Sequence, residues 1–152
     1  MTATPSSGST SLPHLLRSLN PTLSPTTYIY STIPATSEAD FSNILKLFIG
    51  VPVQMLFREA AGWTVVVPED VAAEIGLEAT FRCRKVTLDV HSSLEAVGFM
   101  AAVSARLAKL GMGVNPVSGY YHDHLFVPVG REHEVVQELK KMSEEHSSGE
   151  QS

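Results

Sequence analysis

The order of predicted elements occurs twice along the chain, and this repetition limits the folds that are open to it. Residues 26–75 are predicted to form a strand, a helix, a hairpin and a short helix, and residues 86–139 are predicted to form the same series. Each copy is small for a hydrophobic core of its own. The pattern therefore predicts an internal duplication of one α+β unit, in which a long strand over residues 81–90 serves both copies.

The first copy is predicted from its hydrophobic periodicity and its prolines. A segment rich in β-branched and aromatic residues, TTYIYSTI, lies between Pro25 and Pro34 and predicts a strand. Ser37 is a candidate N-cap for the amphipathic helix that follows. The predicted elements are a short helix over 12–19, the strand over 26–33, a helix over 38–48, hairpin strands over 53–58 and 63–67, and a helix over 68–75.

Domain boundaries follow from this order. We predict a first unit over residues 12–80 and a second over 81–143. Residues 1–11 and 144–152 are polar and offer little to bury, so we predict disordered tails at both ends.

A helix in the second copy is predicted from a capping signature. Ser92-Ser93-Leu94-Glu95 fits the Ser-x-x-Glu capping box and predicts a helix that runs to about Leu110 and ends at Gly111. Gly98 would then lie inside the helix, on a face of small residues, at a cost of about 1 kcal/mol relative to alanine. We therefore expect another part of the protein or a ligand to approach that face closely. An alanine-rich solvent face is the plainer interpretation.

A polar hairpin follows the helix. Strands are predicted over residues 114–121 and 124–129, with His122-Asp123 at the reversal. The segment from Gly119 to His124 is the most polar and aromatic part of this hairpin and would project at one end of the sheet.

Composition excludes several classes of function. The chain has 152 residues, is 43% hydrophobic and carries a net charge of −5, which argues against a nucleic-acid or anionic-membrane partner. A single cysteine, Cys83, excludes a disulfide framework and a multi-cysteine zinc site. The absence of a long apolar run argues against a membrane segment, so a cytoplasmic location is predicted. No dinucleotide, phosphate-loop, nucleophile-elbow or HExxH motif is present, and no cofactor or enzymatic activity is expected.

Two segments, HSSLEAVGFMAAVSARLAKLGMGVN and SGYYHDHLFVPV, resemble the small paired ACT-domain proteins, which are related to the amino-acid-sensing ACT modules of aspartate kinases and cellular arginine sensors. The resemblance extends loosely over residues 12–140. It implies two ferredoxin-like βαββαβ units side by side, with antiparallel sheets and helices on one face. It also implies a non-catalytic regulatory module that binds a free amino acid or close analogue, as a homodimer or with a regulatory protein partner.

The resemblance implies a ligand site at the junction between the first strand–helix loop of one unit and a strand of a neighbouring unit. A ligand carboxylate would bind the free N–H groups of residues 93 and 94, and Asp123 or Asn115 would bind its ammonium group. Pro116 departs from the apolar residue expected of this group, which puts edge pairing at that strand in question. The implied site residues are His91, Ser92, Ser93, Leu94, Glu95, Gly98, Asn115, Gly119, Tyr120, Tyr121, His122, Asp123 and His124.

Other interpretations of the same residues remain open. Ser92 and Glu95 are explained by helix capping alone, and Tyr120 and Tyr121 by packing on a sheet. His91, His122 and His124 could hold a metal ion or could be ordinary exposed histidines. Ser92, His91 and Asp123 have the residue types of a hydrolase triad. An interaction module that pairs through a sheet edge or helix face and binds no metabolite is a further alternative.

Overall fold

The computed structural model describes residues 7–37 and 40–148. Helices and strands alternate along these residues in the predicted order. They are α1 (Leu12–Arg17), β1 (Pro21–Pro34), α2 (Phe41–Leu47), β2 (Met55–Glu59), β3 (Gly62–Pro68), α3 (Glu69–Glu74), β4 (Phe81–Leu88), α4 (Phe99–Ala108), β5 (Asn115–Ser118), β6 (Asp123–Pro128) and α5 (Glu132–Ser148).

The chain divides into two compact units, and only one of them is continuous in sequence. Residues 25–84 form the first, which we call the continuous unit. Residues 1–24 and 85–152 form the second, which we call the split unit. Strands β1 and β4 cross the boundaries. Residues 21–24 of β1 and 85–88 of β4 belong to the split unit, and residues 25–34 and 81–84 belong to the continuous unit.

The continuous unit has the βαββαβ order of a ferredoxin-like fold. Its strands are arranged β2-β3-β1-β4, and β3 pairs antiparallel with both β1 and β2. Alternate residues of these strands point to one face, where they bury a core with α2 and α3. The buried core residues are Ile29, Ile44, Phe48, Trp63, Val65, Val67 and Ala72.

The split unit has the same strand arrangement, but one strand comes from the other end of the chain. Its order is β1-β4-β6-β5, in which β4, α4, β5, β6 and α5 follow one another in sequence. The fourth strand of a ferredoxin-like unit would follow α5. Here residues 21–24 of β1 take that place, and the Asp89 N–H donates to the Asn20 carbonyl at 2.9 Å beside them. The split unit is therefore a circular permutation of the ferredoxin-like fold.

The core of the split unit lies between the sheet and helices α1, α4 and α5. Strand residues alternate toward it, and each helix contributes the apolar stripe expected of a half-buried helix. Its fully buried members include Leu15, Val86, Leu88, Val103, Leu107, Leu125, Val127, Val135 and Leu139. The predicted α+β fold with paired ferredoxin-like units is confirmed.

The compact units differ from the predicted division at residues 80 and 81. Residues 12–24 were expected in the first unit, but they belong to the split unit, because Leu15, Leu16 and Leu19 are buried in its core. The predicted tails are also shorter than expected. Ser9 pairs with Ser92, and α5 continues to Ser148. Residues 1–6 and 149–152 lie outside the described residues.

Helix α4 begins later than the capping signature predicts. It starts at Phe99, with Gly98 as its N-cap at φ 90°, in the left-handed region that favours glycine. Residues 92–98 form a loop, because the Ser92 hydroxyl donates to the Asp123 carboxylate instead of capping a helix. The capping box at Ser92–Glu95 and the interior position of Gly98 are therefore wrong predictions.

The small-residue face of α4 is exposed in the described part of the chain. Ala101, Ala105 and Ala108 are exposed there, and Val97 in the preceding loop is 84% exposed. In the first copy, the helix predicted over 38–48 begins at Phe41, and Asp40 rather than Ser37 caps it by accepting from the Asn43 N–H at 2.8 Å. Residues 38 and 39 of that prediction lie outside the described residues.

Strand β5 is shorter than predicted and ends at Ser118, so the reversal is the four-residue segment 119–122. Pro116 lies on this edge strand opposite Leu125, and β5 pairs with β6 despite the missing donor. None of the helices in residues 7–37 and 40–148 is long and apolar enough to cross a membrane.

Candidate functional site

A pocket of about 140 Å³ lies in the split unit between the loop before α4, the first turn of that helix and the β5–β6 hairpin. Asp123 is the one residue of its lining with an acidic or basic side chain. The lining residues are Ser92, Ser93, Leu94, Ala96, Gly98, Phe99, Met100, Ala101, Ser118 and Asp123.

Asp123 is the polar centre of this pocket. Its side chain is buried, with 5% of the residue exposed, and it lies at the start of β6 opposite Ser118. The Ser92 hydroxyl donates to Oδ2 at 2.7 Å, and the Ser118 hydroxyl donates to Oδ1. Within residues 7–37 and 40–148, no lysine or arginine pairs with this carboxylate. A buried carboxylate is normally paired with a cation, so a cationic ligand group would stabilise the Asp123 carboxylate.

The N-terminus of α4 lies on the same pocket. Gly98 provides no side chain to cap the helix, and the first helical hydrogen bond runs from the Ala102 N–H to the Gly98 carbonyl at 2.9 Å. Phe99, Met100 and Ala101 precede that bond, and their N–H groups have no partner among the described residues. Unpaired N–H groups at a helix N-terminus carry partial positive charge and bind anions.

The loop over residues 91–98 forms one wall of the pocket and makes few bonds of its own. The Ser92 N–H donates to the Val90 carbonyl and the Ala96 N–H to the Ser93 carbonyl, each at 2.9 Å. The Glu95 N–H donates to the Ser93 hydroxyl at 3.2 Å. These contacts are local turns, so the shape of the loop depends on what binds it from outside.

His91, Tyr120, Tyr121 and His122 form a separate aromatic cluster at the tip of the hairpin. The His91 ring centroid lies 6.3 Å from that of Tyr120, 6.2 Å from Tyr121 and 6.4 Å from His122. His122 Nε2 is 3.2 Å from Asp89 Oδ1. None of these residues lines the pocket.

The remaining predicted site residues also lie away from the pocket. His124 Nδ1 is 3.0 Å from the Thr87 hydroxyl, and burial, with help from Lys85 and His122, lowers the pKa of His124. The Asn115 side chain donates to the Phe126 carbonyl at 3.5 Å. Gly119 closes the hairpin, where a Cβ would lie 2.9 Å from the His122 carbonyl oxygen.

Neither the triad nor the metal interpretation gains support from this geometry. A hydrolase triad needs a serine that hydrogen-bonds to histidine, but Ser92 donates to Asp123 directly. The buried Nε2 of His91 has no partner among the described residues. Over the same residues, no group of three or more His, Cys, Asp or Glu side chains could hold a metal ion.

The structure thus brings part of the predicted site together. Ser92, Ser93, Leu94, Gly98 and Asp123 line the pocket, whereas the other predicted residues do not. The Ser93 N–H, which was expected to be free for a ligand, donates to the Ser9 carbonyl. Sequence reasoning missed Ala96, Phe99, Met100, Ala101 and Ser118. Ser118 could have been predicted from the hairpin register, because a four-residue turn over residues 119–122 places it opposite Asp123.

The chain thus consists of two ferredoxin-like units, one of them permuted, and the permuted unit has a small pocket at a strand–helix loop. Two ACT-domain sequence profiles match the chain, one over residues 7–84 and the other over residues 78–141. The chain belongs to the ACT-domain family and contains two such domains. ACT domains are regulatory modules that bind small molecules, and the predicted resemblance is confirmed.

Solved structures share the fold of this chain. A protein of unknown function from Vibrio cholerae, described as a possible transport protein, is 34% identical, with a TM-score of 0.73 over 88% of this chain and 96% of that one. The regulatory subunit of aspartate kinase from Thermus flavus is 14% identical, with a TM-score of 0.60 over 81% and 96%. The ligand-free regulatory subunit from Thermus thermophilus is also 14% identical, with a TM-score of 0.62 over 80% and 95%. No curated protein gives a significant match.

Proposed function

We propose that the chain is a non-catalytic regulatory module that binds a free amino acid in the pocket of the split unit. One observation carries this proposal. The pocket brings Asp123, a buried carboxylate with no lysine or arginine partner among the described residues, together with the uncapped N-terminus of α4. The two groups are complementary to the two charges of an α-amino acid.

Asp123 is the group that binds the ligand ammonium. Two serine hydroxyls already orient its carboxylate, which leaves further lone pairs for a third donor. An ammonium group would give this buried charge the partner that it lacks among the described residues.

The first turn of α4 is the group that binds the ligand carboxylate. The N–H groups of Phe99, Met100 and Ala101 are fixed by the helix, so they need no reordering when an anion binds. The helix adds a partial positive charge of about half an elementary charge at this end.

The lining indicates the kind of side chain that the ligand carries. Apart from Asp123, the pocket presents only apolar and hydroxyl side chains with backbone groups, and its volume is about 140 Å³. A charged ligand side chain would therefore be buried without a partner. The site favours an amino acid with a short, uncharged side chain.

Family membership supports a regulatory rather than a catalytic role. The aspartate kinase regulatory subunits share the fold of this chain, and one of them is described in a ligand-free form. Action as a homodimer or with a regulatory protein partner is part of the proposal. A cytoplasmic location stays a prediction.

A thermal-shift screen of the twenty amino acids at millimolar concentration tests the proposal. A ligand at 100 times its Kd stabilises the native state by about 2.7 kcal/mol, which raises Tm measurably. Asp123→Asn keeps the shape of the side chain but removes its charge, so this variant should lose the ligand-dependent shift.

Asp89→Asn is the matched control, because Asp89 is an exposed acid that contacts His122 outside the pocket. It should respond to ligand as the wild type does. The absence of a shift with every amino acid in the wild type would refute the proposal, as would an unchanged shift in Asp123→Asn.

A protein-interaction module is a second candidate, favoured by exposed apolar side chains on the loop that forms the pocket wall. Leu94 is 65% exposed and Val97 is 84% exposed on the loop before α4. We propose a second copy of this chain as the partner, in keeping with the predicted homodimer. Light scattering of the wild type and Val97→Ser tests this. A dimer that Val97→Ser disrupts and that responds to no amino acid would support the candidate, and a monomeric wild type would exclude it.

A further inference from the structure

The segment that precedes α1 lies against the loop that forms the pocket wall. The Ser9 N–H donates to the His91 carbonyl, and the Ser93 N–H donates to the Ser9 carbonyl, each at 2.9 Å. These bonds make a short parallel bridge between Ser9 and Ser92. We call residues 8–12 the N-terminal strap.

Gly8 allows the strap to lie this close. Its φ is +74°, and a Cβ built there would lie 2.7 Å from both the Ser92 carbonyl carbon and the Ser93 nitrogen. Both atoms belong to the backbone, so no side-chain rotation could relieve the clash. A residue other than glycine would have to lift the strap from the loop or move the loop itself.

The other end of the strap reaches the far end of the same loop. Leu12 begins α1 and packs against the core of the split unit. Its Cδ2 lies 3.3 Å from the position that a Cβ would take on Gly98. The strap therefore contacts the loop at residues 91–93 and again at Gly98, and the lining residues Leu94 and Ala96 lie between these contacts.

The loop has few other connections to the rest of the unit. Apart from local turns, its hydrogen bond to the hairpin runs from the Ser92 hydroxyl to Asp123, the His91 ring lies beside aromatic side chains of the hairpin, and Ala96 packs against the core. Among the described residues, the two bonds of Ser9 are the backbone hydrogen bonds that join residues 91–97 of the pocket wall to a distant segment of the chain.

We propose that the N-terminal strap positions the 91–98 loop and thereby sets the affinity of the pocket for its ligand. The coupling to affinity rests on the function proposed above. A lifted strap leaves the loop to be ordered when the ligand binds, which weakens binding. By linkage, a bound ligand holds the strap down to the same extent. Anything that binds or removes the N-terminal segment would then act on the site.

Hydrogen exchange without ligand tests the positioning role in the full chain. Gly8→Ala should speed exchange of the Ser93 amide by about tenfold or more, because that amide loses its acceptor, while the amides of Val103 and Leu107 keep their wild-type rates. Gly76→Ala is the control. Gly76 has nearly the same φ, +73°, but nothing within 4 Å of its Cβ position. Gly76→Ala therefore introduces the same kind of backbone strain without a steric clash.

Ligand titration tests the coupling, with glycine, L-alanine and L-serine as separate probes. For a probe that binds the wild type, we expect Gly8→Ala to raise Kd by about tenfold, the equivalent of about 1.4 kcal/mol, and Gly76→Ala to leave Kd unchanged. A bound probe should also slow exchange of the Ser93 amide. An unchanged Kd in Gly8→Ala, together with fast exchange at Ser93, would overturn the coupling.

The two proposals fail in different ways. If no amino acid binds the wild type, the proposed function fails, but the exchange rates still decide whether the strap positions the loop. Wild-type exchange at Ser93 in a folded Gly8→Ala protein would overturn the strap itself. If Gly8→Ala does not fold, Ser9→Pro replaces it, because proline removes the donor to the His91 carbonyl, and the same results apply.

Discussion

Replacement of Gly98 by alanine should change the free energy of unfolding in opposite directions for a glycine at a helix N-cap and for a glycine in a helix interior. An alanine in the interior of a helix would stabilise the protein by about 1 kcal/mol relative to glycine. Gly98 instead has φ 90°, where a Cβ is strained by about 1–2 kcal/mol. The added methyl would also lie 3.3 Å from Leu12 Cδ2, a tight contact that a side chain can relieve. We therefore expect Gly98→Ala to destabilise the protein by about 1–2 kcal/mol.

Urea unfolding and thermal melting measure this loss. For a chain of this length, about 1–2 kcal/mol corresponds to a fall in Tm of about 2–8 °C. Gly98→Asn should lose less, because asparagine tolerates the left-handed region better than alanine does.

Gly130→Ala is the matched control for backbone strain. Gly130 has φ +94° and no atom within 4 Å of its Cβ position, so the difference between the two alanine variants isolates the contact with Leu12. The addition of Leu12→Ala should reduce that difference. A Gly98→Ala protein as stable as the wild type, or more stable, would refute the assignment of Gly98 as a strained N-cap.

Three further predictions concern titratable groups. The hydrogen bond from Arg106 lowers the pKa of Glu138. The stability that this pair contributes is therefore present above the ordinary pKa of 4.5 and is lost as pH falls through the lowered pKa. Arg106→Met should make the urea unfolding midpoint depend less on pH in that range. Burial lowers the pKa of His124 below 6.5, so the folded state opposes its protonation and the protein loses stability as pH drops below that value. His124→Gln should remove this loss of stability in thermal melts between neutral and mildly acidic pH. Burial raises the pKa of Cys83 to about 12, so a thiol reagent at pH 8 should label it in denaturant and leave the native protein unlabelled.

Much of the fold could be predicted from hydrophobic periodicity and turn residues. Val86 and Leu88 alternate toward the core as a half-buried strand requires, and Phe99, Val103 and Leu107 recur at helical spacing. The start of α4 could not be predicted in this way. A local signature at Ser92–Glu95 favoured a cap, but a long-range bond to Asp123 uses the Ser92 hydroxyl. Gly98 was the evidence against that start, because the capping box would place this glycine in the interior of the helix.

The candidate site was predictable to the extent that its chemistry lies in side chains. Asp123 and Ser92 were identified as polar residues near a loop and a hairpin, and both line the pocket. The donors of the helix N-terminus are backbone groups, and their position depends on the residue at which the helix begins. The N-cap is Gly98 and not Ser92, an error of six residues, and the unpaired N–H groups at the helix N-terminus are therefore those of residues 99–101 and not those of residues 93 and 94.

The permutation of the split unit accounts for the contact between the N-terminal strap and the 91–98 loop, which hydrophobic periodicity could not predict. A chain read in order assigns residues 12–24 to the unit that follows them, because nothing local marks a strand as belonging to a distant partner. Once residues 21–24 supply the fourth strand beside β4, helix α1 must pack on the same core, and the residues ahead of α1 are brought to the end of β4. The loop after β4 is the pocket wall. The topology that divides the unit between the two ends of the chain is therefore also what brings the N-terminal strap to the candidate site.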